Sequence, residues 1–309
     1  MGIPQKSQIL KKRRFRFHIG GFLVMCLKVC LLFSGFAVLH AEDEDGFLGA
    51  LRVAYPTAKT LDQPFPGQSV EDARAVQREF ITSLCGIMGP VIGYKAALTN
   101  SAAQKRFGVD QPIRGPLLRD MILKSGARVP LNFAAVPLLE GDLVVRVAGE
   151  AINRAEGRKE ALAALDMVYP FLELPDAVFR KGVEIDGLAL IAINAGARFG
   201  VLGEGVPLGK MANPEKALAQ IEVVVSDENG RELANGESRN LLGHPLDVVL
   251  WLRDSLHAEG KKLKRGDLLS LGSMTALVPL RSAGTYSAQF EGLHPERVMR
   301  VDVILEEPR

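Results

Sequence analysis

Cysteine is scarce in this chain: three residues among 309, at positions 26, 30 and 85. Cys26 and Cys30 fall in an apolar stretch near the N-terminus, without the small residues that a lipoprotein cleavage site needs. Cys85 is then alone, which excludes a disulfide framework. It reads as a small buried hydrophobe closing a helix, not as a nucleophile. Excess positive charge is lacking too. The formal net charge is +2, but residues 1–41 hold seven Lys/Arg and no acid, so the remainder stands at −5. That remainder has no electrostatic footprint for nucleic acid. Internal repeats are missing, and biased sequence after residue 41 is confined to Glu42-Asp43-Glu44-Asp45.

What is present begins with an unusual N-terminus. Lys6, Lys11, Lys12, Arg13, Arg14 and Arg16 precede an apolar run over 19–41 in which Lys28 is the single charge. This is the pattern of an export signal, and the run is also about long enough to span a bilayer. The expectation is an exported protein, periplasmic or anchored through this segment, with membrane contact nowhere else. A start codon placed too far upstream would instead leave a cytoplasmic protein. The chain then divides into residues 1–41, a helical segment over 42–90 and a main domain over 91–309. With 47% apolar residues it can bury a full core.

Three acids stand out. In Pro137-Leu138-Leu139-Glu140-Gly141-Asp142-Leu143-Val144-Val145-Arg146-Val147 the aliphatic run predicts a strand, and the two-residue period puts Glu140 and Asp142 on one face. Tyr169-Pro170-Phe171-Leu172-Glu173-Leu174-Pro175 predicts a second, with Glu173 where a buried strand wants a hydrophobe. An unpaired buried carboxylate costs several kcal/mol, so Glu173 needs a cation. Three carboxylates with no His or Cys beside them suit a hard dication, Mg²⁺ or Mn²⁺. The competing possibility is an edge strand with Glu140 and Asp142 in solvent and Glu173 paired to a distant Lys or Arg.

Along the chain, Ser69 and Asp72 mark a capped helix start, with Gly86 as its end. Val91 to Thr99 predicts a strand whose one charge is Lys95, either snorkelling to a surface or holding charge and protons at a site. A short helix over 100–107 and a loop over 109–116 follow. The stretch 158–168 reads as helix, and 185–197 as small and apolar, fit for close backbone packing. Asn229-Gly230 signals a type I′ hairpin between 221–226 and 232–237. His244-Pro245 opens another helix, with His244 as its cap. Strands over 266–273, 286–290 and 298–305 complete an α+β architecture on a β-rich core.

In order, Gly93-Tyr94-Lys95-Ala96-Ala97-Leu98-Thr99, Gly108-Val109-Asp110-Gln111-Pro112-Ile113, Glu140-Gly141-Asp142, Leu172-Glu173, Asn194-Ala195-Gly196, Leu242-Gly243-His244-Pro245-Leu246 and Leu271-Gly272-Ser273-Met274-Thr275 resemble the 2-keto-4-pentenoate hydratase and 4-oxalocrotonate decarboxylase family. That family lies within the fumarylacetoacetate hydrolase-like superfamily. The resemblance covers about residues 70–305 and rests on the series, not on any one piece. It implies a mixed β-sandwich roll with a small N-terminal helical part. It also implies Mg²⁺ or Mn²⁺ held by Glu140, Asp142 and Glu173, with Lys95 at the active site. The family pattern is Glu-x-Glu where this chain has Asp142, and its members look cytoplasmic.

The implied substrate is a small 2-keto acid that chelates the ion, and the implied activity is hydration of an unsaturated 2-keto acid, with decarboxylation as the alternative. Hydrolysis of an acylpyruvate ranks lower, because no His-Glu pair near the acids supplies a water-activating base. A keto-acid-binding protein without turnover is the reading from another class. Ser273, Thr275 and Arg114 are candidates for holding a substrate carboxylate, against plain turn chemistry for the first two and a solvated loop arginine for the third. A homo-oligomer is expected.

Overall fold

A computed structural model of the chain describes Gly2 and residues 46–308. The export-signal expectation for residues 1–41 falls outside them. Contacts set Asp43–Arg309 apart as one unit. Among the described residues no helix is long and apolar enough to cross a membrane.

Two sheets make up the β-structure of the described residues. The larger follows the order β2 (Ile113–Leu118), β1 (Val91–Ala97), β11 (Leu268–Ser273), β5 (Leu138–Val147), β6 (Leu165–Leu174), β7 (Phe199–Leu202), β3 (Ile122–Lys124), with β12 (Val278–Pro279) on β5 and β8 (Val206–Pro207) on β6. The smaller runs β10 (Glu232–Glu237), β9 (Glu222–Ser226), β13 (Gly284–Glu291), β14 (Met299–Glu306), β4 (Ala127–Pro130). Leu143, Val145, Leu172 and Leu271 of the larger sheet share one buried apolar cluster with Val223, Val225, Ala288, Val301 and Val303 of the smaller. Alternation along each strand sends these side chains inward, as in a sandwich. Residues of α7 (Pro245–His257), such as Leu246, Val249 and Leu252, join the same cluster.

A second cluster sits under α1 (46–57), α2 (Val70–Met88) and α5 (Gly187–Ala192), with Phe47, Leu51, Phe80 and Leu84 against Ile113, Leu118 and Ile191. Ser69 accepts from the Asp72 N–H at 3.1 Å while the Asp72 carboxylate accepts from the Ser69 N–H at 2.9 Å, the reciprocal cap foreseen from sequence. The helical segment is thus stitched to the edge strand β2.

The α+β class with two packed sheets matches the sequence expectation, and four local expectations are corrected. α2 runs past Gly86 to Met88 and stops at Gly89, whose φ of 77° ends the helix; Cys85 is therefore inside it. Residues 165–168 belong to β6, not to the preceding helix α4 (Arg158–Ala163), because Leu165, Met167 and Val168 pair with Val147, Arg146 and Val145 across the sheet. Residues 113–116 are strand β2, not loop. At the end of the sheet path β2 tolerates Pro116, which has no N–H to offer a ladder. The β9–β10 hairpin forms without a type I′ turn, since Gly230 (φ 75°) is left-handed but Asn229 is not. The Asp227 carboxylate accepts from the N–H groups of Asn229 and Arg231, each at 3.0 Å, and fixes a different bend.

Candidate functional site

Four adjacent strands of the larger sheet, β1, β11, β5 and β6, carry a line of polar side chains across one face. Lys95 of β1 stands beside Ser270 of β11 in the parallel register, and Glu140 of β5 is directly opposite Glu173 of β6. Asp142, two residues on, shares the face of Glu140. Gly141 between them faces the smaller sheet, where a Cβ would sit 3.0 Å from Val223 Cγ2. Strand periodicity and register together thus gather residues 78 positions apart.

All four charged groups are buried: Lys95 is 2% exposed, Glu140 8%, Asp142 0% and Glu173 2%. At that depth each needs a partner. Lys95 Nζ donates to Glu173 Oε1 in a short ion pair and to the Ala195 carbonyl at 3.1 Å. The distant basic partner for Glu173, one of the two possibilities left open by the sequence, is therefore Lys95. Ser270 Oγ donates to Asp142 Oδ2, and the Leu143 N–H to Asp142 Oδ1. Glu173 Oε2 is buried with no hydrogen-bond partner.

The electrostatics are those of too few cations. Burial first, then the Glu173 carboxylate, pushes the Glu140 pKa well above the ordinary carboxylate value. Burial and Glu173 do the same to Asp142, against the hydrogen bonds from Ser270 and Leu143. Burial works against the Lys95 ammonium, yet Glu173 and then Glu140 outweigh it and hold its pKa above the ordinary value. Fully ionised, three carboxylates and one ammonium leave an excess of two negative charges among buried side chains.

An all-oxygen donor set, a charge deficit of two and an orphaned carboxylate oxygen fit a hard divalent cation. Among the described residues no group of three His, Cys, Asp or Glu side chains already stands at ligand spacing. Asp142 is turned to Ser270 and Leu143, and Lys95 holds one oxygen of Glu173. Fit is thus a matter of charge and donor chemistry, with side chains that must turn.

A pH dependence follows. Groups whose folded pKa is raised bind more protons folded than unfolded, so the stability they contribute is lost as pH rises. For Glu140 and Asp142 the loss begins above the ordinary carboxylate range, about pH 4. Glu259, the acid held low at about 2, gives the opposite slope, but only below that range. Chelator-treated protein is therefore expected to melt at progressively lower temperature from pH 5 to pH 8, and added Mg²⁺ to flatten the trend with release of protons. Melting curves and proton release in weak buffer measure both; a melting temperature that climbs over this window contradicts the buried-acid account.

Not every residue singled out from sequence joins the cluster. Ser273 Oγ donates to the Thr275 carbonyl at 2.7 Å, and Thr275 Oγ1 accepts from the Gly141 N–H at 3.1 Å. Both hydroxyls are engaged by the turn after β11, and Thr275 ties that turn to the backbone between the two β5 acids. Arg114 is corrected from a solvated loop position to a buried strand position, 1% exposed. It pairs with Ala96, one residue past Lys95, and so points off the opposite face, to Glu259 and to Ser255 Oγ at 2.9 Å. Asp186 caps α5 through the Ala189 N–H at 2.8 Å, and His244 caps α7. A cavity of about 1090 Å³ lies by the 107–113 stretch, α5 and α7, and none of the four charged residues lines it. Sequence reasoning missed Ser270; its one signal is a lone hydroxyl in the apolar run Leu268-Leu269-Ser270-Leu271.

No family model matches the chain. The 2-keto-4-pentenoate hydratase of Paraburkholderia xenovorans strain LB400 is 26% identical over 244 residues, 79% of this chain and 88% of that protein. The 4-oxalocrotonate decarboxylase of Pseudomonas putida is 26% identical over 229 residues, 74% of this chain and 84% of that one. Among solved structures, 4-oxalocrotonate decarboxylase from Pseudomonas putida G7, complexed with magnesium and adipate, superposes with a TM-score of 0.75 at 23% identity, over 86% of this chain and 98% of that one. The chain is a homologue of 2-keto-4-pentenoate hydratase and 4-oxalocrotonate decarboxylase, and it has the fold of the decarboxylase.

Proposed function

We propose that the chain is a divalent-metal-dependent lyase acting on unsaturated 2-keto acids, in the first place a hydratase of the 2-keto-4-pentenoate type. The observation that carries this is the pairing of Glu140 with Glu173 beside Asp142 and Lys95, buried, short of two positive charges and with one carboxylate oxygen unpartnered. The names of the homologues support the substrate class.

Glu140, Asp142 and Glu173 would hold Mg²⁺ or Mn²⁺. When bound, the dication supplies Lewis acidity to the carboxylate and C2 oxygen of a chelating 2-keto acid. Lys95 keeps its proton at Nζ beside these acids, where it can protonate the carbon framework or hold developing enolate charge. Its bond to the Ala195 carbonyl remains available as an anchor when Glu173 turns to a metal. Ser270 holds Asp142 on the site face through Oδ2. Burial of the four charged groups strengthens each of these interactions relative to water.

The test is an absorbance assay on the enol form of 2-keto-4-pentenoate with added Mg²⁺ or Mn²⁺. Loss of the dienol band without CO₂ release is expected, and chelation is expected to stop it. Decarboxylation is the second reading, favoured by the fold shared with 4-oxalocrotonate decarboxylase; CO₂ released from 4-oxalocrotonate would identify it. Tight ligand binding that leaves both dienol bands intact would replace the lyase by a keto-acid-binding protein.

A further inference from the structure

Asn194, Ala195 and Gly196 form a left-handed turn after α5, with φ of 60°, 53° and 68°. For Asn and Ala this backbone is uncommon and costs on the order of 1–2 kcal/mol per residue, so something must hold it. Two features do. First, Gly115 lies opposite Lys95 in the β1–β2 register, and a Cβ there would come within 2.5 Å of Asn194 Oδ1 and 2.6 Å of the Asn194 carbonyl. The missing side chain lets the turn settle on the sheet next to Lys95.

Second, the Asn194 side chain, 0% exposed, is fixed at both ends. Its Nδ2 donates to the Pro116 carbonyl at 3.0 Å, and its Oδ1 accepts from Gln77 Nε2 at 3.4 Å. The direction of that relay is set by Arg74, which can only donate. Arg74 gives a 2.8 Å bond to Gln77 Oε1, so the Gln77 amide must present its NH₂ to the Arg114 carbonyl, at 3.0 Å, and to Asn194. The product of this chain is one carbonyl, Ala195, aimed at Lys95 Nζ.

From this geometry we infer that Asn194 and Gln77 are positioning residues for Lys95. They impose the left-handed turn that gives the ammonium a neutral acceptor, independent of the carboxylates, and so fix where its proton is presented. Glu173 alone could not do this, because the same carboxylate is needed at the metal; the Ala195 carbonyl is not. The effect on turnover rests on Lys95 acting as proposed above, whereas the placement of its ammonium does not.

The experiment compares Asn194→Gly, which keeps a backbone suited to positive φ, and Gln77→Leu, which leaves the turn residues intact, with the parent chain. Three quantities are read: turnover of 2-keto-4-pentenoate, Mn²⁺ affinity by calorimetry, and the rate of reductive methylation of Lys95 relative to the other lysines by mass spectrometry. A fall in kcat of about tenfold to a hundredfold with KM and Mn²⁺ affinity changed by less than about twofold is expected, as for a reacting group misplaced by a fraction of an ångström. Methylation of Lys95 is expected to speed up several-fold in both variants. Unchanged Lys95 labelling in folded Gln77→Leu overturns the inference, as does a loss of Mn²⁺ affinity that accounts for the loss of turnover. Faster labelling with kcat intact keeps the positioning and instead removes Lys95 from the proposed chemistry. Should Asn194→Gly fail to fold, Gln77→Leu decides alone.

Discussion

Lys95→Met is expected to abolish turnover while tightening divalent-ion binding. The first half follows from removing a buried proton donor, which costs about a hundredfold to ten-thousandfold in rate. The second follows from Coulomb's law: the ammonium competes with the dication for Glu173, and without it the three acids face the metal with their full charge. In chelator the same variant has buried carboxylates with no counterion, a loss on the order of 3–5 kcal/mol tempered by their protonation. At roughly 2–4 °C per kcal/mol for a domain of this size, the metal-free melting temperature should drop by about 6–20 °C. Added Mg²⁺ should restore most of that. Activity within tenfold of the parent would show that Lys95 is not the proton donor, and an ion affinity that weakens would show that it is not the competing cation.

Glu173→Gln should behave in the opposite way toward the ion. It keeps the shape of the side chain, removes one of three carboxylates, and is expected to weaken Mg²⁺ or Mn²⁺ binding about a hundredfold or more, since affinity for a hard cation follows ligand charge. It also takes the ion partner from Lys95, so the metal-free protein should lose stability as well. Glu140→Gln provides the contrast. Glu140 forms no ion pair among the described residues and is held above the ordinary carboxylate pKa by burial and by Glu173. Neutralising it should weaken the ion to a similar degree yet raise the metal-free melting temperature at neutral pH. Paired calorimetry and melting in chelator would reveal the split, and equal destabilisation by both variants would mean that the two acids do not play different parts.

The sequence disclosed the acids because strand alternation is a strong signal and because Glu173 sits where apolar neighbours make a charge conspicuous. It could not disclose the identity of their counterion. That depends on β11 entering between β1 and β5, which brings Lys95 to within bonding distance of Glu173 across four strands. Arg114 was illegible for a related reason: Pro112, Gly115 and Pro116 look like loop chemistry, and only the edge position of β2 makes them compatible with a strand. Ser270 was hidden because one serine in an aliphatic strand has no periodic signature of its own. The turn at Asn194 could be seen as small and apolar, but its left-handed backbone finds room at Gly115 and a hydrogen bond at Gln77, both far away in the chain.

The position of β11 also dictates when the pocket can exist during synthesis. Lys95 leaves the ribosome early, yet the strand that links it to the acids arrives with residues 268–273, and β14, which lies between β13 and β4, comes later still. Pairings this remote along the chain are slow to close. A nascent polypeptide therefore carries unmatched acids and open strand edges until residues 268–306 have emerged, and a product cut short before residue 268 would lack the strand that brings Lys95 to them.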